Sequence, residues 1–283
     1  AQAHADAMAA ELLAEEAVSL ALSDGGVSHG DIGAIAFANA TQGVMEGQFG
    51  IRGQVALAAL PFDAVPIINV ENACASASTA LQVAMMQVET GQAEIALAIG
   101  AEKMCHPNSA LSMSAFEGSW DRVNSEETVK RLDAMASVLP TPSSEIGRES
   151  ARTVFMDIYA AFAKYHMGRF GTTQRQIAAV SAKNHQHSVE NTLSQYRRSF
   201  TVEEILASRL VAWPFTLPMC SPISDGAAAA VVCNGATLRR LGVGARAVKI
   251  RGFRLMNGGR REHHEIEKHI SHRAAVSCYE AAA

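Results

Sequence analysis

The residue best suited to covalent chemistry is Cys74, in the run Asn72-Ala73-Cys74-Ala75-Ser76-Ala77-Ser78. A cysteine attacks as its thiolate, and a free thiol is mostly protonated near neutral pH. The first turn of a helix presents unpaired N–H groups and partial positive charge, a setting that favours the thiolate. The local sequence offers that setting. Residues 65–70 form an apolar, β-leaning run, and Ser76–Glu89 carries Ala80, Leu81, Ala84 and Val88 at helical spacing before Gly91 closes it. The small neighbours Ala73, Ala75 and Ala77 would let a substrate carbonyl approach the sulfur. Other acyl-transfer enzymes use the same strand, turn and helix with oxygen as the nucleophile. Position alone leaves a second reading equally open, a core cysteine packing as a small hydrophobe.

The remaining candidates carry weaker signals. His185-Gln186-His187 and the group His263, His264, His269 and His272 could ligate a metal, with His269 and His272 three apart on an expected helix. No cysteine or carboxylate completes a ligand spacing, so solvated histidines and no bound metal are expected. Gly43, Gly47, Gly50 and Gly53 could cradle a phosphate, but no Gly-Lys-Ser/Thr follows; a loop entering a helix is the expectation. Asp225, before Gly226, reads as a turn or cap residue. Cys105, Cys220 and Cys233 read as structural.

The elements that must position Cys74 are those of an α/β protein. Residues 7–22 predict an amphipathic helix that Asp24-Gly25-Gly26 ends. Residues 32–37, 65–70 and 95–99 read as buried strands, the last apolar on both faces as a covered sheet requires. The helix Ser76–Glu89 is small or apolar on several sides, which predicts burial between layers. From about 105 to 215 strand signals fade, and helices at 152–170 and 174–188 mark an inserted, mostly helical subdomain. Residues 227–232 and 247–253 return to the strand pattern, and 274–283 predict a closing helix. Ala17-Val18-Ser19 recurs as Ala275-Val276-Ser277, an echo that a duplicated α/β unit would leave.

Composition narrows the class. A chain of 283 residues, 48% hydrophobic and 18% charged, can bury a large core. Its net charge of −4 leaves no basic surplus for nucleic acid or an anionic membrane, and the local basic stretch 251–261 reads as a solvated face. Five cysteines, irregularly spaced and without a Cys-x-x-Cys pair, suit reduced thiols; with no signal peptide and no membrane-length apolar run, a cytoplasmic location is expected. The chain opens without Met and both ends fall in helical sequence, so a piece cut at both ends is expected.

Longer stretches carry a family resemblance. Val70-Glu71-Asn72-Ala73-Cys74-Ala75-Ser76-Ala77-Ser78-Thr79-Ala80-Leu81 resembles the nucleophile segment of the thiolase superfamily. It is followed, as in that family, by Gly91-Gln92-Ala93-Glu94-Ile95-Ala96-Leu97-Ala98-Ile99-Gly100-Ala101-Glu102-Lys103-Met104. Pro222-Ile223-Ser224-Asp225-Gly226-Ala227-Ala228-Ala229 is similar to the turn from the thiolase loop domain back to its core. Lys183-Asn184-His185 and Phe170-Gly171-Thr172-Thr173 resemble the sterol-carrier-protein type, which is acetyl-CoA acetyltransferase-like. The family usually has Gly where Ala77 stands.

The resemblance implies a thiolase-like fold: two similar α/β halves whose mixed sheets sandwich buried helices, with a helical loop domain inserted in the first. Residues 1–102 with 217–235 would form the first half, 103–216 the loop domain, and 236–283 the start of an incomplete second half. It implies an acyl-CoA acyltransferase in which Cys74 takes the acyl group, with coenzyme A thioesters as substrates and no cofactor. Met156 matches a methionine near the pantetheine channel and Ser221 a serine beside bound coenzyme A; Met156 also fits plain subdomain core, and Ser221 a turn beside Pro222. The activating histidine, in a Gly-His-Pro-like segment, and a second acid/base cysteine find no match after Ile250, and Cys278 falls at the wrong point in the order. The chain as it stands is therefore expected to be nearly inactive. Family members are dimers or dimers of dimers, and residues 95–99 near a sheet edge would fit a homo-oligomer. Two alternatives stand beside acyl transfer. One is a thiolase-like aldolase working on acyl-CoA side chains with a small acyl-CoA-binding partner protein, a group that tends to lack the cysteine. The other is a non-catalytic acyl-CoA-binding subunit.

Overall fold

The computed structural model describes residues 10–150, 152–262, 265 and 268–283. They form two compact units, His106–Ser224 and, separately, residues 10–105 with Asp225–Ala283.

The second of these is built on a mixed sheet. Strands β1 (Ala34–Ala38), β2 (Ile67–Val70), β3 (Ile95–Glu102) and β4 (Gly226–Cys233) lie in the order β2-β1-β3-β4. β1 is parallel to β2 and β3, while β4 runs antiparallel to β3. In register, Ala36 stands opposite Ile68 on one side and Ala98 on the other. Alternation along the strands sorts side chains by size. Ile35, Phe37, Leu97 and Ile99 point to one face and pack with Val18 and Leu22 of helix α1 (Ala10–Gly25). Ala34, Ala36, Ala38, Ala96 and Ala98 point to the other, against Ala80, Ala84 and Val88 of helix α2 (Ser76–Glu89). A face of alanines lets α2 lie close to the sheet, because nothing longer than a methyl intervenes. At the end of that face a Cβ on Gly100 would come 3.1 Å from the Cβ of Ala77, so glycine is what leaves room for the first turn of α2. α1 stops at Gly26, whose φ of +63° a side chain would oppose; its expected residues 7–9 lie outside the described ones.

Several expectations change. Residues 95–99 lie near an edge but do not form it: β3 is an inner strand between β1 and β4, and the outer strands are β2 and β4. The reason is that β4 returns after the helical insertion to pair along the whole of β3. Residues 247–253 form no strand. A strand needs a ladder partner for its backbone groups, and among the described residues this stretch has none; Val248 is 90% exposed. It runs instead beside helix α5 (Ile270–Ala282), where Gly252 approaches the Cys278 carbonyl. Helix α2 is packed on the sheet side, while Ser78 and Met86 are exposed, so among the described residues it is not buried between layers. The glycine-rich stretch enters two short helical turns, Gln42–Met45 and Arg52–Ala56. Gly53 is there for packing, since a Cβ would lie 2.7 Å from Phe37 Cβ.

The helical unit contains α3 (Val154–Phe170) and α4 (Gln174–Glu190). Gly171, at φ +72°, ends the first; Thr173 and Gln176 form a capping box that starts the second. Met167 packs with Leu210 and Trp213. No helix among the described residues is long and apolar enough to cross a membrane.

Candidate active site

Cys74 lies in a short 3-10 turn, Ala73–Ala75, directly between β2 and α2. Its side chain is exposed, so the alternative of a cysteine packed in the core does not describe it. The turn is held from both sides. Ala73 adopts φ +45°, a left-handed conformation that a residue with a Cβ enters only under constraint. Its N–H donates to Glu71 Oε1 at 2.6 Å. The Ser76 hydroxyl accepts from the Asn72 N–H at 2.8 Å and donates to the Ala73 carbonyl at 2.7 Å. Asn72 Nδ2 donates to Thr79 Oγ1, and that hydroxyl in turn donates to the Ala75 carbonyl.

Where β1 and β3 end lies a polar network that the sequence motifs do not include. Glu102, at the end of β3, accepts from Asn39 Nδ2 at 2.9 Å, from the Ala40 N–H at 3.0 Å and from the Thr41 N–H at 2.9 Å. Arg52 Nη1 donates to the Asn39 carbonyl at 2.7 Å. This network fastens the segment leaving β1 to the end of the neighbouring β3. Its signal in the sequence is a polar cluster, Asn39 and Thr41, directly after an apolar strand. A cavity of about 180 Å³ adjoins it, lined among others by Asn39, Arg52, Asn69 and Glu71.

Asp225 performs no visible acid/base work. Its side chain is fully buried and accepts from the Met104 N–H at 2.6 Å, the Cys105 N–H at 2.7 Å and the Lys103 ammonium. It ties the chain leaving β3 to the chain entering β4.

Met156 and Ser221 belong to the helical unit, Cys74 to the α/β unit. Within the helical unit Ser221 lines a cavity of about 480 Å³ together with Ser181, Asn184, His185, Tyr196 and Met219; Met156, half-buried on the first turn of α3, does not. His185 Nε2 lies 2.9 Å from the Pro218 carbonyl, and its ring packs on Phe200. Cys220 is in the same cavity wall, where burial pushes its thiol up, away from nucleophilic use. Burial does the same to Cys233 on β4. Among the described residues no three histidines, cysteines or carboxylates gather to hold a metal; His263 and His264 lie outside them. His269 caps α5, its Nδ1 accepting from the Ser271 N–H.

A mixed sheet whose parallel strand delivers an exposed cysteine to the start of a helix defines the class: an α/β protein with a cysteine-bearing strand–turn–helix. The sequence pattern of the family described as "Thiolase, N-terminal domain" matches residues 1–205, and the chain belongs to the thiolase family. Sterol carrier protein 2 of Homo sapiens is 32% identical over 274 residues, covering 95% of this chain and 46% of that protein. Acetyl-CoA acetyltransferase of Methanothermobacter thermautotrophicus is 33% identical over 213 residues, covering 75% of this chain and 49% of that one. The chain thus spans about half the length of these relatives. Among solved structures, the Acat5 thiolase from Ascaris suum in complex with coenzyme A matches with a TM-score of 0.55 at 15% identity, over 83% of this chain and 62% of that one. The Ltp2-ChsH2(DUF35) aldolase matches with a TM-score of 0.56 at 21% identity, over 82% of this chain and 53% of that one.

Proposed function

We propose that the chain carries the acyl-accepting cysteine of an acyl-CoA acyltransferase that makes or cleaves 3-ketoacyl-CoA. The observation that carries this reading is the exposed Cys74 on a constrained turn at the start of α2, within a thiolase-family chain. In the proposed step the Cys74 sulfur attacks the thioester carbonyl; the new carbon–sulfur bond forms, the coenzyme's thiolate leaves and takes up a proton. A second coenzyme A thioester then gives up an α-proton and its α-carbon attacks the acyl-cysteine. The carbon–sulfur bond breaks, the freed Cys74 thiolate takes up a proton in place of the one lost, and the 3-ketoacyl product forms; cleavage runs the same steps backwards. The 480 Å³ cavity supports Ser221 as a substrate-binding residue, since its volume suits a ligand of coenzyme fragment size. Met156 stays part of the proposal on the resemblance alone. The reading includes the division into a first half, a loop domain and the beginning of a second half, a homo-oligomer, and a cytoplasmic setting.

The test is labelling with acetyl-CoA followed by peptide mass mapping. The peptide bearing Cys74 is expected to gain one acetyl group, and the Cys74→Ala chain none. No Gly-His-Pro-like segment follows Ile250, so the labelling is read as a single turnover with donor in excess. Acetyl groups found only on other side chains would refute the assignment. The likeness to the Ltp2-ChsH2(DUF35) aldolase keeps a second reading, a partner-assisted carbon–carbon lyase. Co-purification of a small acyl-CoA-binding protein, with Cys74 unlabelled, would favour it. Binding of acyl-CoA without either result would favour a non-catalytic subunit.

A further inference from the structure

We propose that Ser76 is a positioning residue for Cys74, its hydroxyl being the clasp that keeps the turn in its left-handed form. This rests on the reading of Cys74 as the acyl acceptor.

The geometry makes one oxygen responsible for both ends of the Asn72–Ala73 pair. Ser76 Oγ accepts from the Asn72 N–H at 2.8 Å and donates to the Ala73 carbonyl at 2.7 Å. The Ser76 N–H also donates to that carbonyl. A peptide unit is planar, so fixing the Ala73 carbonyl also fixes the Cys74 N–H and the direction in which the Cys74 Cα leaves the turn. Ala73 has a Cβ and stands at φ +45°, so it leaves that conformation unless held. Ser76 is suited to hold it. It opens α2, whose buried alanines are packed on the sheet, and it is only 6% exposed, so water is poorly placed to replace the hydroxyl. Glu71 adds a bond to the Ala73 N–H, but from an exposed side chain. Without the Ser76 hydroxyl the turn relaxes, and the sulfur loses the fixed place that the Ala73–Ala75 turn gives it.

The experiment measures iodoacetamide alkylation of each cysteine of the whole chain by peptide mapping. Ser76→Ala is expected to slow Cys74 by about tenfold, the worth of one hydrogen bond made in a fixed geometry. Cys105 and Cys278 should keep their rates. Ala73→Gly in the same background should recover much of the loss, because glycine holds a left-handed conformation unaided. An unchanged rate at Cys74, or an equal slowing at Cys105 and Cys278, overturns the proposal. Should Ser76→Ala loosen the fold, the half-buried Cys220 and Cys233 will react faster, and Ser76→Thr, which keeps a hydroxyl, then decides. A parental rate at Cys74 supports the clasp; a rate as slow as that of Ser76→Ala removes it. Normal alkylation and a normal Ser76 effect in a chain that never takes acetyl from acetyl-CoA would sink the acyl-transfer reading and leave the clasp standing.

Discussion

Asp225 is a single side chain on which two chain segments depend. Its carboxylate is fully buried against the Lys103 ammonium and the N–H groups of Met104 and Cys105. Burial raises its pKa, but the bonds from Cys105, Lys103 and Met104 outweigh that and hold it below the usual carboxylate range. The sign follows from linkage. A depressed carboxylate contributes stability that is present above its unfolded pKa, near ~4, and is lost as pH falls through the lower folded value. Asp225→Asn is expected to destabilise by about 3–5 kcal/mol at neutral pH, since it leaves a mostly buried ammonium without its counter-charge. Urea unfolding of both chains from pH 7 downward checks it. The gap should narrow as the medium becomes more acidic than pH ~4, and a gap that stays constant would contradict the assignment. The sequence presents Asp225 as a turn residue beside Gly226. Its clamp on residues far earlier in the chain emerges only when β3 and β4 pair.

At the scale of elements, the cysteine-bearing turn is placed by small residues. Ala34, Ala36, Ala38, Ala96 and Ala98 bring α2 down on the sheet, and Gly100 admits Ala77. The room for Ala77 comes from the strand. Gly100→Val should therefore cost about 1–3 kcal/mol by overpacking, and Ala77→Gly should return part of that loss. A double-mutant cycle by thermal or urea unfolding measures the coupling; strictly additive effects would show that the two positions do not share this space. The alternation of alanine with large apolar residues in β1 and β3 is visible in the sequence, and so is the period of α2. That β3 is an inner strand is not visible there, because pairing order depends on where β4 returns after more than a hundred intervening residues.

The whole molecule consists of two units with separate cores. The α/β core holds Phe37, Leu97 and Ile99, and the helical unit holds Met167, Leu210 and Trp213. Both tryptophans, Trp120 and Trp213, lie in His106–Ser224, so tryptophan emission reports that unit alone. Leu97→Ala removes a fully buried side chain from the α/β core and is expected to cost that unit about 2–5 kcal/mol. In denaturant titrations the far-ultraviolet circular dichroism transition should move to lower denaturant, while the emission transition keeps its midpoint. Coincident shifts of both would mean that the two cores unfold as one cooperative system.

What this sequence determined by itself is local: helix α2 and its apolar face, the strand before it, the cysteine between them, and the family to which those words belong. Such features depend on residues a few positions apart, whose spacing matches the period of a helix or strand. The exposure of Cys74, the Glu102 network and the strandless course of residues 247–253 were decided by tertiary structure. Each depends on which backbone groups find partners across the fold, and that is settled only when distant segments compete for the same sheet and the same buried space.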